Sequence, residues 1–158
     1  MGTTIRILLV GIGATAVMDA WTLVRVHALG GRAPDYGLLG RWAAHCLRGR
    51  FRHDAIAAAP RVRGERAIGW LAHYLTGIAF AALLVAVVGA AWLERPTPLP
   101  ALAVGIATVA APFLVMQPGM GLGIAARRAP QPNAVRMQSL SNHAVFGLGL
   151  WLAALPFA

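Results

Sequence analysis

Four apolar runs decide what this chain can become. Ile5–Val26, Ile68–Leu93, Leu99–Ala126 and Val135–Phe157 are each long enough to cross a bilayer, which takes about 20 predominantly apolar residues. From Ile68 to Leu93 there is no Asp, Glu, Lys or Arg. Each run exceeds a buried soluble helix, and its Gly and Ala content suits close packing between membrane helices. No run alternates apolar and polar residues as barrel strands do. The sequence therefore specifies an all-α integral membrane protein: an antiparallel bundle of four transmembrane helices in a single membrane domain, 1–158. The first run, with Arg6 and "ATA" at Ala14–Ala16, imitates a signal peptide, but it continues to Val26 and is read as a retained span. "GIGATA" fits a dinucleotide fingerprint, yet no strand precedes it. Its small residues Gly11, Gly13, Ala14 and Thr15 are read as a helix-approach surface.

Charge then orients the bundle. The net charge is +9, from fourteen arginines and no lysine. In a soluble protein that balance would suggest nucleic acid. Here the arginines sit between apolar runs, so the expected partners are the bilayer and anionic lipid headgroups, with no nucleic acid. The 30–67 loop holds eight arginines and the 127–136 loop three, against Arg6 and Arg95 on the other side. The positive-inside rule predicts both basic loops in the cytoplasm and both termini in the periplasm of a bacterial inner membrane. "LERPTPLP", residues 93–100, then reads as a short, stiff outer turn.

The 30–67 loop is too long for a connector. "PDYGLLGRWAAHCLRG" carries a helix start, with Asp35 as N-cap. Leu38, Leu39, Trp42 and Cys46 fall on one side of that helix, with basic residues on another. The prediction is an amphipathic interfacial helix presenting a basic surface of Arg41, His45, Arg48, Arg52 and His53 to headgroups. Such a surface either fixes topology or forms a vestibule that gathers anions. Cys46 is the only cysteine, so no internal disulfide forms. Nearby Arg48 and Arg50 would lower its thiol pKa if they reach it; otherwise it is an unreactive helix residue.

"GRWAAHCLRGRFRHDAIAAAP", "GERAIGWLAHYLTGIAFAALL", "PALAVGIATVAAPFLVMQPGMGLGIA" and "RMQSLSNHAVFGLGLWLA" occur in order. The chain resembles, from about Met18 onward, the bacterial inner-membrane family catalogued as domain of unknown function 2938. The resemblance implies a four-span membrane protein and supplies no activity or site residues.

The chemistry must come from polar residues inside the spans. With the flanking arginines as interface markers, Asp19, His73 and His143 lie about 10 Å deep in the cytoplasmic half, and Gln117 about 15 Å. With Asn142 they form a candidate intramembrane polar site: Asp19, His73, Gln117, Asn142 and His143. An ionisable residue in a span is a functional candidate, and a hydrogen-bonded interhelical pin is the alternative. Pro112 and Pro118 predict a kink or an unwound turn in the third span, with carbonyls freed at Thr108 and Leu114. Three functions compete. One is a small carrier or channel binding a proton, ion or small polar solute, with a homo-oligomer needed because four spans are few to enclose a pathway. Another is a non-catalytic assembly or lipid-organising protein. The third is a redox protein in which His73 and His143 hold haem between helices, or join Met116 or Met120 and Asp19 around copper. No Ser–His–acid order or carboxylate pair suggests a hydrolase or transferase.

Overall fold

The computed structural model describes residues 1–158. It is all-helical, with no strand. The helices are α1 (Thr3–Ala28), α2 (Tyr36–Cys46), α3 (Glu65–Val88), α4 (Pro98–Ala107), α5 (Gln117–Gly119) and α6 (Pro132–Ala154). Four stretches are long and apolar enough to cross a membrane: Thr3–Ala28, Glu65–Val88, Pro98–Gly119 and Pro132–Phe157. Between 17% and 28% of each span's apolar stretch is buried within the protein, so most of that apolar surface faces outward, as lipid requires. The chain packs as two compact units, Met1–Ala33 with Tyr74–Thr108 and Leu140–Ala158, and Pro34–His73 with Val109–Ser139.

In the first unit, segments of all four spans pack around Val10, Ala14, Leu84, Phe146 and Leu150. Hydrocarbon gives helices no hydrophobic reason to associate, so association depends on close van der Waals fit and small residues. A Cβ on Gly77 would lie 2.0 Å from the Thr15 hydroxyl oxygen, which places α3 directly against α1. One on Gly105 would lie 2.4 Å from the Gly147 Cα, which does the same for α4 and α6. The second span ends at Val88, short of the apolar run, because Gly89 adopts φ +96°. The chain then folds Trp92 and Leu93 back into the core, and the Trp92 indole donates to the Thr97 carbonyl at 3.2 Å. Pro98 starts α4 where a missing N–H costs nothing.

In the second unit, Asp35 caps α2 as its sequence position predicts, accepting from the N–H groups of Gly37 at 2.8 Å and Leu38 at 3.2 Å. α2 meets the start of α3 glycine to glycine: a Cβ on either Gly40 or Gly69 would fall 1.7 Å from a backbone oxygen of the other helix. Arg41 organises the connection between them. Its guanidinium forks onto Glu65 with two bonds of 2.8 Å and donates to the carbonyls of Ile56, Ala57 and Ala59. The third span is discontinuous, as its prolines predict. Within this unit it runs as a π turn, Pro112–Met116, then α5, and breaks at Gly121 and Gly123, whose φ values are +96° and +72°. The Gln117 N–H reaches back five residues to the Pro112 carbonyl, the wide-turn bond of a π-helix.

Candidate functional site

The polar residues of the spans are set by the elements just described. In the first unit, α1 carries Asp19, and the Tyr74 hydroxyl of α3 donates to its carboxylate at 3.0 Å. α6 carries His143 opposite the end of α4. The Thr108 hydroxyl donates to the Gly105 carbonyl at 2.6 Å, so its lone pair is left to accept from His143 Nδ1–H at 2.9 Å. Nδ1 also lies 3.3 Å from the Gly105 carbonyl, an acceptor only. The network thus assigns the neutral ring's proton to Nδ1 and leaves Nε2 as the basic nitrogen. The neighbouring Asn142 has its side-chain oxygen buried with no partner.

In the second unit, His73 Nε2 shares a hydrogen bond of 3.2 Å with the Tyr36 hydroxyl. The Tyr36 ring also packs on Trp70, with centroids 4.1 Å apart. Gln117, 2% exposed, follows the π turn directly. Its amide N–H reaches Ser139 Oγ at 3.4 Å, and Ser139 passes its own proton to the Val135 carbonyl at 2.9 Å. The Gln117 side-chain oxygen is buried and unpaired. An unpaired buried acceptor is uncommon in a folded protein and calls for an explanation.

The sequence over residues 8–156 matches the family described as "Protein of unknown function (DUF2938)". The chain belongs to the DUF2938 family. No curated protein and no solved structure matches it.

In this DUF2938 protein the expected polar residues divide between the units. Asp19, Asn142 and His143 lie in the first; His73 and Gln117 lie in the second. Residue-by-residue reading missed Tyr36, Tyr74 and Thr108. The available signal was scarcity, for the chain has two tyrosines and both bind an ionisable residue of a span. No group of three His, Cys, Asp or Glu side chains is placed to hold a metal ion.

The expected basic surface needs correction. Arg48 and Arg52 are exposed, but Arg41, His45 and His53 are only 5%, 7% and 7% exposed. Arg41 is drawn inward by Glu65, which holds it more firmly in its charged form than an ordinary arginine. His45 bonds the Pro60 carbonyl at 3.0 Å, and the His45 and His53 rings stand edge-on with centroids 5.1 Å apart. The Cys46 thiol is pushed above its usual range by burial, so the arginines beside it in sequence do not activate it.

Proposed function

We propose that this protein is a small carrier or channel of the bacterial inner membrane, both termini periplasmic, that passes a proton or a small cation. Gln117 carries the reading. Its buried, unpaired oxygen sits where the third span leaves α-helical geometry between two prolines. In hydrocarbon an unpaired oxygen and irregular backbone are tolerated where they meet protein or a wet cavity, and broken helices next to polar groups are a transporter feature. The unpaired side-chain oxygen of Gln117 is an acceptor, which suits a cationic or hydrogen-bond-donating solute. A purely structural pin would pair all of its polar atoms, because a half-satisfied network in a low dielectric is unfavourable.

Flux assays test the reading. Purified protein is reconstituted into liposomes holding a pH-sensitive dye, and proton and monovalent-cation gradients are imposed in turn. Flux above protein-free liposomes is expected, and Gln117→Leu should abolish it while leaving elution and helical content unchanged. Absence of flux under every gradient, or undiminished flux in Gln117→Leu, removes the carrier reading.

A further inference from the structure

Four arginines with no partner converge on one cavity. The two ion pairs of the structure, Arg6–Glu94 and Arg41–Glu65, leave Arg50, Arg52, Arg127 and Arg128 unpaired. All four line a cavity of about 240 Å³ in the second unit, together with His53 and Asp54.

The walls are built rather than draped. The His53 backbone N–H donates to the Gly119 carbonyl at 2.9 Å and the Ile56 N–H to the Met120 carbonyl at 3.1 Å, which clamps the 50–56 segment onto the end of the third span. The opposite wall turns back through four left-handed residues. Two are Gly121 and Gly123, but Ala125 and Ala126 adopt φ +48° and +55° without that freedom. Side-chain-bearing residues adopt such a backbone only where the surrounding structure holds them there, and such strain concentrates at functional sites. Its effect here is to bring Arg128 back, its N–H bonded to the Leu122 carbonyl at 2.8 Å. Gly123 leaves room for the Arg127 stem, since a Cβ there would lie 2.8 Å from Arg127 Cγ.

His53, 7% exposed, is a fixed part of the wall: its Nδ1 lies 3.4 Å from the Gly119 carbonyl, and its Nε2 is shut away from water with no partner.

We propose that this cavity binds a phosphate group in its dianionic form, inorganic phosphate or a phosphomonoester. Four guanidinium charges against the single carboxylate of Asp54 leave an excess that a dianion offsets better than a carboxylate does. The planar guanidinium fork matches two phosphate oxygens at once. Asp54 can accept a hydrogen bond from the proton that monohydrogen phosphate carries and that sulfate, like a dianionic phosphomonoester, lacks at neutral pH. Two sources share this chemistry, a soluble phosphate and the phosphomonoester headgroup of phosphatidic acid. The site stands apart from the carrier reading and does not depend on it.

Two binding arms test it on the full-length protein in detergent. Inorganic phosphate, with sulfate for comparison, is titrated by calorimetry; phosphatidic acid, with phosphatidylcholine for comparison, is titrated by native mass spectrometry. Saturable binding in either arm is expected. It should weaken at least about tenfold in Arg127→Gln with Arg128→Gln, where charge-assisted bonds are lost. The exposed pair Arg61→Gln with Arg63→Gln, outside the cavity, should leave it unchanged. Phosphate binding identifies a soluble ligand, and phosphatidic acid binding alone identifies the headgroup. Should the Arg127 and Arg128 variant fail to fold, Arg50→Gln with Arg52→Gln takes its place. No saturable binding in either arm, an equal affinity for sulfate, or equal loss in the Arg61 and Arg63 control overturns the proposal.

Discussion

The glycine contact between α2 and α3 gives the sharpest test of the packing. Replacing Gly40 by Ala puts a methyl carbon 1.7 Å from the Glu65 backbone oxygen and 2.5 Å from the Gly69 backbone nitrogen. Ordinary contact begins near 3.4 Å, so α2 has to retreat by about 1.7 Å, and no rotamer relieves a clash between backbones. A retreat of that size carries Arg41 out of hydrogen-bond range of Glu65, now 2.8 Å away, and releases the carbonyls of Ile56, Ala57 and Ala59 with it. Overpacking costs about 1–3 kcal/mol, and an unyielding backbone puts this case at the upper end. About 3 kcal/mol raises the population of detached α2 roughly 100-fold. Cys46, the only cysteine and the last residue of α2, reports that population directly. Its alkylation by a thiol-reactive dye below the unfolding temperature should accelerate by roughly the same factor when reclosing outpaces alkylation. Gly69→Ala, whose Cβ meets the Tyr36 carbonyl oxygen at 1.7 Å, should act alike from the other helix. Labelling of both variants at the wild-type rate would mean that α2 does not pack on α3 as described.

Further expectations follow from single contacts. Tyr74→Phe removes the hydroxyl held by Asp19 and should cost about 1 kcal/mol, a typical interhelical hydrogen bond in a membrane, read as a lower melting temperature in detergent; an unchanged melting temperature would show that bond to be inconsequential. Burial raises the Cys46 thiol, so less thiolate is present at a given pH than for a free cysteine. Its alkylation should be slower than that of a free thiol at pH 8 and still be climbing at higher pH, and equal rates at pH 8 would count against that burial. Eleven loop arginines oppose two, so a C-terminal alkaline phosphatase fusion should be active and a fluorescent-protein fusion dark. The reverse pattern would invert the proposed orientation.

The spans were legible because bilayer length leaves a continuous signature, and so was the start of α2, because an N-cap is a local bond between near neighbours. Asp35 and its two N–H donors lie within three residues. Arg41 was misread for the opposite reason. Helical periodicity assigns a charge to the outer face, whereas its partner Glu65 stands 24 residues away and only the fold brings the two together. The histidines and Asp19 were visible as polar residues in apolar runs, but Tyr74, Tyr36 and Thr108 look like ordinary span or loop residues until a partner is placed beside them. The second span was read too long because Gly89 is apolar by composition, while its φ of +96° ends the helix. The acidic residues held more information than the basic ones. Of five, Asp35 caps a helix, Asp19 meets Tyr74, Glu65 and Glu94 hold arginines, and Asp54 lines the cationic cavity.

Water at Gln117 is the most direct test of the carrier account. In a Cys46→Ser background, Gln117→Cys and Leu114→Cys place single thiols on the third span, the first buried and the second 61% exposed on the apolar surface. A membrane-impermeant, charged thiol reagent is applied to right-side-out and inside-out vesicles, and the modified fraction is read by mass shift. The account predicts modification at 117 from the cytoplasmic face and none at 114, because a wet pathway reaches the buried polar site and lipid covers the apolar surface. A thiol at 117 that stays unmodified from both faces would show a dry structural kink and contradict the account.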